Sequence, residues 1–300
     1  MDSVAHTFAR SHDLRGSVGL SNMNYSSKNL KSTRAIIKHV LFKAFEYMAF
    51  HIHKPRIICV FGLKRSGNHL IINWILSQYE GSSLFYNHCR PDVAPIARDR
   101  RELRLKKLWK APLVVFSYED RDPLSTLVGP LGQFIEMQRP GLKSVDTCIL
   151  LRDPKNFFAS RFKKWPEEAS DIPRRESLVR KYKMYANLFE SFDTLTHSDR
   201  KIGINYNYFV LSCVYREELA ANLNIPNGVK GLDEVPQYGR GSSFDGTDKQ
   251  GRAREMTVFE RWRSFEGDPQ FDAVVNNPQI VAIDARLFTA RDAHVMAPHA

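Results

Sequence analysis

Three hundred residues, 43% of them hydrophobic, are enough for one sizeable α/β domain. A formal charge of +11 suits a polyanionic ligand, and taken alone it also suits nucleic acid. The four cysteines, Cys59, Cys89, Cys148 and Cys213, include no C-x-x-C pair, so neither a disulfide framework nor a zinc site is indicated.

Residues 1–30 are rich in Ser, Asn and Arg and lack the apolar core of a signal peptide. They read as a flexible arm ahead of a single domain over 31–300, and the sequon Asn24-Tyr25-Ser26 carries no weight without a secretory signal. The stretch Ile36 to Phe50 is too short to span a bilayer and is broken by Lys38, His39, Lys43 and Glu46. It is expected as an amphipathic helix docked on the domain, a peripheral anchor being the other use of such a helix.

The first βα unit runs from Arg56 to Tyr79. Ile57-Ile58-Cys59-Val60-Phe61 reads as a buried strand, and Leu70, Ile71, Trp74 and Ile75 have helical spacing. Between them, Gly62-x-x-x-x-Gly67 is a tight loop opening a helix, the geometry that holds an anion on backbone N–H groups. It matches the first half of a Walker A loop, but the Lys and Ser/Thr required next are Asn68 and His69. The cations come earlier, at Lys64 and Arg65, so the loop suits an anion but not Mg-ATP.

Ser83 to His88 is expected as the second strand. The basic run Arg98 to Lys110 reads as a solvated helix face, its functional version being a rim that attracts anionic substrates. Leu113 to Tyr118 is a further strand ending in Glu119 and Asp120. Thr147 to Leu151 is another, followed by Arg152-Asp153-Pro154-Lys155-Asn156-Phe157-Phe158-Ala159-Ser160-Arg161, where Pro154 suits an early helical position. A helix is expected from about Glu176 to Thr196, a strand over Ile202 to Tyr206 and a helix through Tyr215 to Leu223. Tyr238 to Phe244 is a Gly/Ser-rich loop containing Arg240, Gly241 and Ser242, ahead of a helical segment around Val258 to Trp262. This alternation predicts a three-layer α/β fold of the P-loop type, with a parallel central sheet flanked by helices on both faces. Ligands should sit at the carboxyl ends of its strands.

The loop Arg65-Ser66-Gly67-Asn68-His69 resembles the 5′-phosphosulfate loop of sulfotransferases that use 3′-phosphoadenosine 5′-phosphosulfate (PAPS). Arg152 and Ser160, at the spacing found in that family, resemble its 3′-phosphate site. A guanidinium is well matched to a phosphate dianion. The resemblance covers roughly Arg56 to Trp262 and implies transfer of a sulfuryl group from PAPS to an acceptor hydroxyl or amine, without a metal. It also places Tyr206 against the adenine and Arg240, Gly241 and Ser242 in a loop that closes over the 3′-phosphate. Arg65 would be the cation at the bridging oxygen, with Lys64 as helper and the N–H groups of Ser66, Gly67, Asn68 and His69 on the 5′-phosphate.

The general base is His88 or Glu119, with His88 favoured, while His69 is read as a phosphate contact. The sequence departs from the cytosolic steroid and phenol enzymes, whose loop lysine is Arg65 here and whose paired threonines are Asn68 and His69. It also lacks their glycine-rich C-terminal signature. Acceptor identity is therefore not carried over, although the basic rim favours an anionic glycan hydroxyl. The transmembrane anchor of Golgi-resident members is missing, which implies a cytoplasmic protein. Nucleic-acid binding is not expected, because it would explain the charge but not two phosphate motifs on successive strand ends. The competing readings are a non-catalytic nucleotide-binding protein of this fold and a kinase-like P-loop protein with another substrate.

Overall fold

The computed structural model describes residues 37, 41, 44–45, 47–79, 83–92, 112–192, 200–226, 231–233, 242, 244–245, 248–249, 251–252 and 255–289. The chain forms two compact units, Met1–Ala44 and Phe45–Ala300. In the first, Ile37, Leu41 and Ala44 are helical and exposed. The expected boundary at residue 30, the basic run at 98–110, Arg240 and Gly241 lie outside the described residues. Among the described residues no helix is long and apolar enough to cross a membrane.

The second unit is built on five parallel strands: β1 (Arg56–Gly62), β2 (Ser83–Tyr86), β3 (Leu113–Glu119), β4 (Ser144–Leu151) and β5 (Arg200–Asn205). Their order across the sheet is β2-β3-β1-β4-β5. All seven residues of β1 and all seven of β3 are buried, the condition that produces unbroken apolar runs in a sheet covered on both faces. The chain leaves β1 toward one edge of the sheet and crosses from β3 to β4 toward the other. The carboxyl end of β1 is thus the topological switch point. Register aligns Gly62 with Glu119 of β3 and with Leu150 of β4, so the loops after these three strands open at one rim.

Period-2 alternation divides each strand between two helical layers. On one face Ile58, Val60, Cys148, Leu150 and Ile204 pack with α1 (Asn68–Ser77), and with Phe209, Leu219 and Leu223 from helices described below. Trp74 meets Phe209 edge-on at 5.1 Å. On the other face Phe116 meets Phe134 of α3 (Pro130–Gln138), which follows α2 (Pro123–Val128). Phe157 and Phe158 of α4 (Pro154–Lys164) contact Tyr182 of α6 (Ile172–Phe192), which lies along β4 and β5. The short α5 (Glu167–Ser170) joins α4 to α6. Helices α7 (Tyr206–Leu211), α8 (Cys213–Leu223), α9 (Pro269–Val275) and α10 (Pro278–Asp284) complete the layers.

Helix starts follow local chemistry. Asp122, Asp153, Asn205, Ser212, Asp268 and Asn277 cap α2, α4, α7, α8, α9 and α10 with side-chain oxygens. Helix α1 has no such cap. Gly67 stands at its N-cap with φ 95° and leaves the first-turn N–H groups without a side-chain acceptor.

Three expectations are corrected. The strand expected to reach Tyr206 ends at Asn205, whose side chain accepts the N–H groups of Asn207 and Tyr208 and so starts α7 at Tyr206. The second strand stops at Tyr86, because Asn87 caps the N–H of His88 and His88 turns to φ 52°. The helix expected around Val258 to Trp262 is a run of turns followed by a 3₁₀ turn at Arg261–Phe265. Two carbonyls in those turns are claimed from outside: Arg152 donates to Val258, and Asn156 donates to Phe259 at 3.1 Å.

Candidate functional site

The loop between β1 and α1 depends on its two glycines for different reasons. A Cβ on Gly62 would come within 1.9 Å of Asn68 Oδ1. One on Gly67 would lie 2.1 Å from the Tyr206 ring, in addition to the strain of its positive φ. Asn68 is buried and turned back under the loop, its Nδ2 donating to Leu63 O at 3.0 Å and to Glu119 Oε1 at 2.9 Å. What Asn68 offers a ligand is therefore its backbone N–H.

The loop is tied to β3 by the next carboxylate. Asp120, at φ 57°, accepts the N–H of Lys64 at 2.9 Å and pairs with Arg161 at 2.9 Å. Arg161 also binds Glu168 and lies over the Trp165 ring at 4.6 Å. Burial alone would lower its pKa, but Asp120 and Glu168 outweigh that and hold it above the ordinary value. Lys64 Nζ stands 3.9 Å from Asp120 and 5.9 Å from the Trp165 ring. No contact places that ammonium with the arginines described next.

Those arginines converge behind the loop. Arg152, at the end of β4, is 1% exposed, and its Nη1 reaches Ser160 Oγ at 3.3 Å and Arg65 O at 3.4 Å. The Tyr182 hydroxyl fixes its carbonyl at 2.7 Å, and its guanidinium covers the Tyr206 ring at 4.9 Å. Tyr206 therefore contacts Arg152 through its ring face and also lies close to Gly67. Arg261, in the 3₁₀ turn, donates to the same Ser160 Oγ at 3.4 Å and to Ser242 Oγ at 2.8 Å. Its nearest carboxylate is Asp245, at 3.4 Å.

Electrostatics set this cluster apart. Burial, then the neighbouring Arg152, hold Arg65 below its ordinary pKa and push Arg261 down to about 10. Cations are therefore gathered in low dielectric with carboxylates only at 3.9 Å from Arg152 (Asp153) and 3.4 Å from Arg261 (Asp245), an arrangement that an added anion would stabilise. Ser66 Oγ and Arg152 Nε are buried without a hydrogen-bond partner in the same region, as expected where a ligand supplies the missing contact.

A second group lies beside the loop. Glu119, 7% exposed, places Oε2 3.1 Å from Nδ1 of His88 while Oε1 receives Asn68. His69 Nε2 is 3.9 Å from Oε1 and 3.4 Å from Asn87 Oδ1. Burial holds the His69 pKa below the usual histidine value, against the pull of Glu119. His88 and Glu119, alternatives in the sequence, stand here as a pair: a buried carboxylate behind an imidazole whose side chain is 56% exposed. This is the arrangement in which an acid orients a base.

The sequence-derived residues Arg65, Arg152, Ser160, Tyr206 and Ser242 come together, as do Asn68, His69, His88 and Glu119. Arg261 was missed. In Arg261-Trp262-Arg263 the outer arginines are locally equivalent, yet Arg261 is 8% exposed and Arg263 is exposed. Arg161 and Asp120, the residues that fasten the loop, also carry no local signal of that role. Among the described residues no group of His, Cys, Asp or Glu is placed to hold a metal ion.

No family model matches the sequence, and no curated protein matches it. Among solved structures, a sulfotransferase domain from the Synechococcus PCC 7002 olefin synthase aligns over 72% of this chain and 96% of that domain. The identity is 10% and the TM-score 0.34.

Proposed function

We propose that this chain is a PAPS-dependent sulfotransferase acting on an acceptor hydroxyl. The observation that carries the reading is the meeting of Arg152 and Arg261 at Ser160, with Arg152 also on the Arg65 carbonyl, beside an uncapped helix N-terminus. One anionic group would lie on the N–H groups of α1 and on Arg65, a second on Arg152, Ser160, Arg261 and Ser242. A nucleotide with phosphates at both ends of its ribose matches that spread. Arg240 and Gly241 belong to the same proposal as parts of the covering loop. Mg-ATP suits the loop poorly, since Asn68 is committed to Glu119 and His69 to Asn87.

PAPS supplies the sulfuryl group. On the other side of the site His88, held by Glu119 through Nδ1, would accept the acceptor's proton on Nε2. Arg65 would offset negative charge left on the departing phosphate oxygen. The adenine contact proposed for Tyr206 would use ring surface that Arg152, 4.9 Å from the ring centroid, does not cover.

Calorimetric titration with adenosine 3′,5′-bisphosphate, set against ADP and ATP with and without magnesium, tests the donor site. Tight, magnesium-independent binding of the bisphosphate is expected. A preference for Mg-ATP would replace this reading with a kinase-like one. Radiolabelled sulfate transfer from PAPS to a panel of glycan and small-molecule hydroxyls then tests turnover.

A further inference from the structure

The opposite end of the sheet carries a second concentration of positive charge. At the amino ends of β1, β3 and β4 there is a cleft of about 600 Å³, within the size range of small-molecule sites. Its lining includes His53, Lys54, Arg56, Tyr79, Lys143 and Ser144, and no lining residue is acidic. Lys54 and Lys143 are exposed, and neither has a carboxylate partner among the described residues.

Arg56 forms the floor. Its Nε binds Asp146 at 2.7 Å, its Nη1 reaches Asn224 O at 2.9 Å and the Tyr79 hydroxyl at 3.4 Å, and its Nη2 has no hydrogen-bond partner. Asp146 does not belong to Arg56 alone, because Arg200 Nε lies 2.8 Å from its other oxygen. One buried carboxylate therefore answers two guanidiniums, with two more ammonium groups above. The backbone around the cleft is held firmly: Lys143 N–H donates to Pro55 O, and Arg56 N–H to Pro112 O. Lys54 sits at φ 44°, a conformation that non-glycine residues adopt only where their surroundings hold them.

We propose that this cleft is a second anion-binding site, for a small molecule bearing phosphate or sulfate groups. The unpartnered guanidinium nitrogen and the two uncompensated lysines point to it independently, and it does not depend on the function assigned to the other end of the sheet. Arg56 would supply a fixed donor from below, Ser144 and Tyr79 neutral hydroxyls, and Lys54 and Lys143 the closing charges.

Inorganic pyrophosphate and inorganic sulfate are the probes, used on the full chain. Lysine acetylation followed by mass spectrometry reports each ammonium separately. Pyrophosphate is expected to slow labelling of Lys54 and Lys143 in a saturable way. Substituting both lysines by Gln should weaken the matching calorimetric site by about a hundredfold, the scale of losing two charge-assisted contacts. Both side chains are exposed, and the glutamines keep their stems, so the fold should persist; its thermal transition checks this. Protection by both probes assigns a general tetrahedral-oxyanion site, and protection by pyrophosphate alone assigns a phosphate ester. Unchanged labelling of both lysines with either probe overturns the proposal, as does a pyrophosphate titration that the double variant leaves untouched.

Discussion

Ser160 and Arg161 are neighbours on α4, yet Arg161 and the two arginines that meet Ser160 live under opposite conditions. Arg161 is buried between Asp120 and Glu168 and is held above its ordinary pKa. Arg152 and Arg261 are also buried, but they share a serine hydroxyl, and their carboxylates stand farther off, Asp153 at 3.9 Å from Arg152 and Asp245 at 3.4 Å from Arg261. A buried cation with its own carboxylates is a fastening. Buried cations whose carboxylates lie only at such distances mark a place where an added anion would be stabilised.

The comparison can be broken in several ways. The largest expected effect falls outside both arginine groups: His88→Ala should lower kcat by about 10²- to 10⁴-fold, the usual worth of a general base. Bisphosphate binding should stay nearly intact. Glu119→Gln should lower kcat less and alter the pH profile, because it acts through His88. Normal turnover of both variants would remove the pair from the mechanism.

Arg152→Ala should weaken bisphosphate binding by about 2–5 kcal/mol, as for a buried, hydrogen-bonded charge, while calorimetry in its absence shows a fold that still melts cooperatively. Arg161→Ala is the converse. It leaves Asp120 and Glu168 without their shared cation and should cost about 3 kcal/mol of stability in urea denaturation. If Arg161→Ala abolished nucleotide binding in fully folded protein, the division between fastening and ligand site would fail.

Asp245→Asn sharpens the picture at smaller scale. Removing the carboxylate that competes for Arg261 should tighten bisphosphate binding by about two- to fivefold, since the group is partly exposed. The smallest effect concerns pH. His69 has a folded pKa below the usual histidine value, so below that value the unfolded chain takes the proton first. Stability should therefore fall as the solution is acidified through that value, and His69→Asn should flatten the slope in thermal melts.

Much of this was legible in the chain. Ile57 to Phe61, Leu113 to Tyr118 and Thr147 to Leu151 announce strands because a sheet covered on both faces tolerates only apolar side chains. Gly62 and Gly67 announce the loop because no Cβ fits at either place. Other parts were not legible. Tyr206 continues an apolar run, yet Asn205 caps a helix in front of it, and a cap is decided by where the side chain finds free N–H groups. Val258 and Phe259 look helical by spacing, but Arg152 and Asn156 take their carbonyls.

The sequence by itself determined the layers, the glycine-bracketed loop with Arg65 and the arginine after β4, because each rests on neighbours within one or two turns of chain. The tertiary structure decided that Arg261 joins Arg152 at Ser160, that Asp120 and Arg161 fasten the loop, and that His88 and Glu119 form a pair. Those contacts depend on which loops meet where the parallel strands end together at one rim. No local pattern contains that distance.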